Sequence, residues 1–283
     1  MSSADLDVAV VAPVYANAAT LPLLAERVRA ALADRRWHLR LVIDGSPDES
    51  LAVARRLAAE DGRVRVTALP VNLGQHRALV RGLAEEAAAA AWVCLDADLQ
   101  DPPEAVPLLV DRLAVGDVGA VFAGRRGAYE DRVRLAGGRV HRTLLAAFTG
   151  LPVDAGAFVA LGPEVRAAVL RLAPPSVVAA IGVAGLPVAS VPVERSPRAH
   201  GRSAWTATAR LRQSLRTLAW TIRARVLQGV PGTAREPAWH GGQRATQASI
   251  GSRRPSVQTS RRPTWRRSGR GGAQQSVSDK RRS

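Results

Sequence analysis

Short apolar runs alternate with helically spaced apolar positions through the first two hundred residues. Val8 to Tyr15 opens as an almost continuous apolar stretch, the pattern of a strand covered on both faces. Leu39–Ile43, Val64–Leu69, Trp92–Leu95, Val118–Ala123 and Leu186–Val193 repeat that pattern at intervals. Between the first two, Leu24, Val28 and Leu32 stand at helical spacing, with Thr20 placed to cap that helix and Pro22 in its first turn. Leu51–Ala59, residues 76–90, a stretch opening at Pro102 and residues 131–148 read as further helices. Strand and helix in turn predict an α/β fold built on a mostly parallel sheet.

The last periodic stretch runs from Thr206 to Gln228. Leu211, Leu215, Leu218, Ile222 and Val226 fall on one face, and Arg212, Arg216 and Arg223 cluster on another. Two readings fit equally: a terminal helix packed on the sheet, or a basic amphipathic helix lying on an anionic membrane surface.

Charge changes the picture at the end of the chain. Residues 231–283 hold 12 basic and 2 acidic side chains, so +10 of the net +16 sits there, and the body is only moderately basic. Rich in Arg, Ser, Gly, Gln and Pro and without apolar periodicity, residues 230–283 are expected to be disordered. The break near Gly229 suggests a truncation or frame shift that replaced a membrane region. Lys280 is the single lysine, so the abundant arginine is a compositional habit that discounts arginine-based arguments. Cys94 is the single cysteine and reads as a small buried hydrophobe, which excludes an intrachain disulfide. The N-terminus lacks a basic region and Pro13 interrupts its apolar run, so a cytoplasmic protein is expected.

The strand at Trp92–Leu95 runs into Asp96-Ala97-Asp98-Leu99-Gln100-Asp101-Pro102-Pro103-Glu104. A strand ending in Asp-x-Asp delivers two carboxylates to the carboxyl edge of the sheet, where open α/β sheets bind their ligands. Mg²⁺ or Mn²⁺ takes one or two protein carboxylates and completes its shell with water and substrate phosphate oxygens. Asp96 and Asp98 are therefore the candidate metal ligands. The chain has no G-x-G-x-x-G or Walker string, which counts against dinucleotides and ATP.

The string from Asp96 to Glu104 resembles the motif of family 2 glycosyltransferases with a GT-A fold, in particular the polyprenyl-phosphate glycosyltransferases. Further strings carry the same resemblance. Pro13-Val14-Tyr15 is similar to the family's nucleotide-contacting loop, although Ala16 and Asn17 stand where its Asn-Glu pair is usual. Asp44-Gly45-Ser46 matches its Asp-Asp-Gly-Ser turn with Ile43 in place of the first acid, and Asn72-Leu73-Gly74 matches its Asn-x-Gly. Val153 to Phe158 resembles Asp-x-Gly-Asp-Phe with Ala157 at the second acid, and Arg198 to Trp205 resembles the loop that closes over the diphosphate, with Ala204 where lysine is usual.

The resemblance implies a GT-A domain over residues 1–205, a nucleotide-sugar half at 1–115 and an acceptor-side half at 116–205, followed by the amphipathic helix at 206–229. Pro13, Tyr15, Asp44, Asp96 and Gln100 would hold the nucleotide sugar. Arg125, Arg198, His200, Arg202 and Ser203 would meet phosphate, for which guanidinium groups suit two oxygens at once. Asp96, Asp98 and Asp154 would serve the reaction, a metal-dependent inverting transfer of a hexose from a UDP- or GDP-sugar to a polyprenyl phosphate at the inner face of the membrane. A saccharide or other hydroxyl acceptor is the second enzymatic reading; no Gln-x-x-Arg-Trp string supports processive synthesis. Nucleic-acid binding by the basic tail is weaker, because aromatic residues make up only 4% and stacking platforms are scarce.

Overall fold

The computed structural model describes residues 6–86, 88–126, 143–172, 174–195 and 207–227. Seven strands form one sheet: β1 (Leu6–Val14), β2 (Trp37–Asp44), β3 (Val64–Leu69), β4 (Ala89–Cys94), β5 (Ala120–Arg126), β6 (Val159–Leu161) and β7 (Val188–Glu194). Their order is β3-β2-β1-β4-β6-β5-β7, and β6 alone runs against its neighbours. Every predicted strand is present. β6, three residues long, was not foreseen.

The helices are α1 (Leu21–Ala31), α2 (Ser50–Glu60), α3 (Gln75–Glu85), α4 (Val106–Ala114), α5 (143–149), α6 (Pro163–Leu172), α7 (Val177–Ala184) and α8 (Ala207–Leu227). Successive residues of β1 face opposite sides of the sheet, as strand geometry requires. Val8, Val10, Ala12 and Val14 join α1, α2 and α4 in one core layer, while Ala9 and Val11 join α3, α5, α6 and α7 in the other. Arg40, in the middle of β2, is a charged exception. It is buried, and its guanidinium pairs with Glu85 and Glu86 at the end of α3, both at 2.7 Å.

Two local expectations are corrected. Thr20 sits at the head of α1 but makes no side-chain cap; its buried hydroxyl donates instead to the carbonyls of Asn17 and Ala97. The stretch after Pro102 forms a 3-10 turn at Pro103–Ala105 before α4 begins. Most of the helix expected over 131–148 lies outside the described residues, as does the tail from 228 onward.

α8 lies against α7 with its polar side inward. Thr217 and Thr221 are buried, Gln213 Nε2 donates to Pro175 O at 2.7 Å, and Arg225 donates to Gly182 O at 2.9 Å and Thr149 O at 3.1 Å. Leu211, Leu215, Ile222 and Val226 are exposed, by 43% to 73%. This is not the seating expected of a terminal helix packed on the sheet through its apolar stripe. No single described helix is long and apolar enough to cross a membrane.

Candidate active site

With β6 the one reversed strand, the carboxyl ends of β1, β2, β3, β4, β5 and β7 share one edge, and the residues leading into β6 return to that same edge. Asp44, Asp96 and Asp154 therefore come to one side of the sheet, at the position where α/β sheets take ligands.

The acidic string alternates. Ala97 and Leu99 are buried, whereas Asp96, Asp98 and Gln100 are partly exposed. Leu99 has φ +61, a left-handed conformation uncommon for a branched apolar residue, and it reverses the chain just after the acidic pair. The hydroxyl of Thr20 holds Ala97 O at 2.7 Å, pinning the string from beneath. Asp98 Oδ1 accepts from Gln100 N at 3.1 Å, which closes a local turn around the carboxylate. Asp96 Oδ1 accepts from Gln75 Nε2 at 2.5 Å, from the first residue of α3.

Arg195, just past β7, was not singled out in the sequence. Its Nε lies 2.5 Å from Asp101 Oδ1 and its Nη2 lies 3.9 Å from Asp96 Oδ2. Asp101 is 1% exposed, so the arginine neutralises a carboxylate that burial would otherwise disfavour. That ion pair joins the end of β7 to the acidic string of β4. It also engages Asp101, one of the carboxylates a hydroxyl acceptor would need as a base.

Asp44 is 2% exposed, and its oxygens accept from Leu73 N at 2.7 Å and Gly74 N at 2.8 Å. In this structure it organises the Asn-x-Gly loop before α3. The next residue must be glycine: Gly45 has φ +57, and a Cβ there would lie 2.4 Å from Asn72 N. Downstream, Asp48 ties the loop after β2 to the loop after β1 by accepting from Ala18 N at 3.0 Å and Ser46 Oγ at 2.6 Å. Burial opposes its ionisation, but those bonds together with hydrogen bonds from Ser50 outweigh burial and hold its pKa at about 2. Tyr15, 37% exposed, and Pro13 sit at the end of β1 beside this joined pair of loops.

Asp154 is exposed, and its Oδ2 accepts from Ser190 Oγ on β7 at 3.1 Å. It lies directly over Gly124 on β5, where any Cβ would fall 2.3 Å from that oxygen. The structure thus groups Asp96, Asp98, Gln100, Asp101, Gln75 and Arg195, and sets Asp154 on the β5–β7 side. Arg125 belongs to β5 by its backbone, and its side chain lies outside the described residues. Arg198, His200, Arg202 and Ser203 lie outside them as well. Cys94, fully buried beneath the string, has its thiol pushed up to about 12 by burial and then by Asp96, so it is an inert packing group.

Among the described residues no three His, Cys, Asp or Glu side chains gather as an all-protein metal cage. Asp96 and Asp98 nevertheless fit a hard divalent cation. Both offer oxygen donors from one short turn on the open side of the sheet, the small ligand number that Mg²⁺ tolerates when a substrate phosphate completes its shell.

The model of glycosyl transferase family 2 matches residues 9–155, slightly more than half of the chain. The chain belongs to glycosyl transferase family 2. The matched span of this family 2 chain runs from β1 past the acidic string to Asp154. An undecaprenyl-phosphate 4-deoxy-4-formamido-L-arabinose transferase of Pseudomonas aeruginosa is 42% identical over 124 residues, covering 42% of this chain and 36% of its own length. The protein of the same name from Pectobacterium carotovorum is 39% identical over 125 residues, covering 42% and 38%. The family 2 chain thus spans a little over a third of these relatives. Glucosyl-3-phosphoglycerate synthase from Mycobacterium tuberculosis, solved with Mn²⁺ and UDP-glucose, superposes with a TM-score of 0.56 at 22% identity, over 80% of each chain. Mannosyl-3-phosphoglycerate synthase from Rubrobacter xylanophilus gives 0.56 at 18% identity, over 82% of this chain and 78% of that one. At such identities the likeness is one of fold, the GT-A fold.

Proposed function

We propose that the chain transfers a sugar, in our reading a hexose, from a UDP- or GDP-sugar to a polyprenyl phosphate, at the inner face of the cell membrane. The observation that carries this reading is the alternation at the end of β4. It turns Asp96, Asp98 and Gln100 to the open side while Ala97 and Leu99 anchor the turn in the core. Mg²⁺ or Mn²⁺ held by Asp96 and Asp98 would supply Lewis-acid stabilisation of the departing diphosphate. Gln75 and Arg195 keep Asp96 oriented, and the loops tied by Asp44 and Asp48 frame the nucleotide beside Pro13 and Tyr15.

A phosphate acceptor agrees with the carboxylates at hand. A hydroxyl nucleophile needs a base within hydrogen-bond reach; Asp101 is engaged by Arg195, Asp154 accepts from Ser190, and Glu130 lies outside the described residues. A phosphate monoester has its second pKa near about 6, so its oxygen is already deprotonated at neutral pH. That oxygen attacks the anomeric carbon; the new C–O bond forms as the bond to the diphosphate breaks, and the nucleoside diphosphate leaves with the electron pair. The relatives named for undecaprenyl phosphate support the same acceptor class. This chemistry also tolerates Ala157 where the resembled family has an acid.

The test is a thermal-shift panel of UDP- and GDP-sugars with and without Mn²⁺, then a product assay with short-chain polyprenyl phosphates. Asp98→Ala should lower turnover by about 100-fold or more, the scale of removing one electrostatic group from a reacting centre. Its unfolding midpoint should hold, because Asp98 is partly exposed and its carboxylate accepts from Gln100 N within a local turn rather than bracing the core. An active, metal-independent Asp98→Ala enzyme would refute the assignment.

A further inference from the structure

A cavity of about 100 Å³ opens between the start of α3 and α8; Leu73 and Gly74, from the loop that Asp44 ties, form one side of it, and Gln75, His76, Arg77, Pro175, Gln213 and Arg216 form the rest. Among the described residues no carboxylate lines it. Arg77 and Arg216 make no ion pair with any described residue, and they approach from two different helices. Their charges are therefore offered to the cavity, and the first turn of α3 adds the partial positive charge of a helix start. Gln75 lines the cavity and donates to Asp96, so this side chain links the cavity to the acidic pair. The outer flank is equally particular. α8 carries five arginines and no acid, and beside Arg212, Arg216 and Arg223 it exposes the stripe of Leu211, Leu215, Ile222 and Val226.

We infer that this cavity is the subsite for the phosphate of a lipid phosphomonoester acceptor, held by Arg77 and Arg216, with the isoprenoid chain leaving along the exposed apolar stripe of α8. The inference rests on the proposed function for the acceptor's identity and adds its location and the residues that recognise it. Arginine suits this ligand because its fork presents two N–H groups to two phosphate oxygens, and two such forks match a dianion. The donor's diphosphate belongs on the other side of Gln75, with Asp96 and Asp98. A nucleotide in the cavity would leave the apolar stripe without a role, whereas a phosphate on a long hydrocarbon tail uses both features at once. Gln213, fixed to Pro175 O at 2.7 Å, keeps α8 at the height where Arg216 borders the cavity.

The experiment is isothermal titration of the full chain with farnesyl monophosphate, without donor or metal, against farnesol and inorganic phosphate. Wild type should bind farnesyl monophosphate, and Arg77→Ala and Arg216→Ala should each weaken it by about tenfold or more, the loss expected for a charge-assisted hydrogen bond. Leu211→Ser with Leu215→Ser should weaken farnesyl monophosphate and leave inorganic phosphate unchanged. UDP-sugar affinity and the unfolding midpoint should stay at wild-type values in all variants. Unchanged farnesyl monophosphate binding in both arginine variants overturns the subsite, as does a loss confined to UDP-sugar. Inorganic phosphate or farnesol binding as tightly as farnesyl monophosphate overturns the lipid-phosphate assignment. A chain that binds farnesyl monophosphate here yet never transfers a sugar overturns the proposed function and leaves the subsite standing. Transfer with wild-type KM for polyprenyl phosphate in both arginine variants overturns the subsite alone.

Discussion

α3 and α8 border the same cavity and are amphipathic in opposite senses. α3 buries Ala78, Leu79 and Leu83 in the core layer that includes Val11 and Val42, and its Arg77 and Arg81 face outward. α8 buries Thr217 and Thr221, reaches backbone carbonyls with Gln213 and Arg225, rests Trp220 against the same core layer, and leaves Leu211, Leu215, Ile222 and Val226 outside. The first is seated by removing apolar surface from water, the second by the contact of Trp220 together with hydrogen bonds, each of these bonds worth a net of only about 0.5–1.5 kcal/mol. A helix held in the second way keeps its apolar face available. The α3 side of the molecule is thus closed around its own core, and the α8 side presents apolar surface the fold has not consumed.

The largest expected effect tests the closed side. Leu83→Ala should cost about 2–5 kcal/mol of unfolding free energy, because it deletes a fully buried side chain between α3 and the sheet. Urea denaturation measures it, and a cost below 1 kcal/mol would mean that α3 is not part of the cooperative core. Smaller, and on the other helix, is Arg225→Ala. It leaves Thr149 O and Gly182 O without the guanidinium that links α8 to α5 and α7, at a cost of about 1–3 kcal/mol if those carbonyls find no other donor. Burial lowers the pKa of Arg225, yet the guanidinium stays charged at neutral pH, so both hydrogen bonds are charge-assisted. Proteolysis at α8 should quicken in this variant and not in Leu83→Ala variants compared at equal stability; the reverse pattern would place the anchor of α8 elsewhere.

Much of this architecture is legible in the sequence because central strands such as β1 and β4 are covered on both faces and write apolar runs, while β3 and β7, more exposed, keep shorter apolar patterns. β6 escapes because three residues carry no period. α7, Val-Val-Ala-Ala-Ile-Gly-Val-Ala, escapes because a helix buried all round is apolar all round. Asp96 and Asp98 are readable since strand, acids and following turn are contiguous. Arg195 is not, because its meaning lies in Asp101, 94 positions earlier, and only the placement of β7 brings them together. Asp44 reads as a ligand-facing acid, yet its oxygens meet the backbone of residues 73 and 74, a pairing no local pattern encodes. For α8, periodicity predicts the helix and its two faces. It cannot say which face is inward, since that depends on whether threonine hydroxyls and Gln213 find partners, and they do.

The smallest effect is the most pointed test of the contrast. Leu215, 59% exposed, has already kept most of its side chain in water, so Leu215→Ser should change unfolding free energy by no more than about 0.5 kcal/mol, the range of surface substitutions. The same change on α3 would be ruinous, although the two leucines occupy equivalent places in their helices' patterns. Serine also lowers helix propensity slightly, which sets the sign as a small loss. Chemical denaturation at several protein concentrations gives the answer. A loss of 2 kcal/mol or more that is independent of concentration would show the apolar stripe packed within the monomer and erase the contrast between the helices. A loss that grows with concentration would instead reveal a second copy covering the stripe.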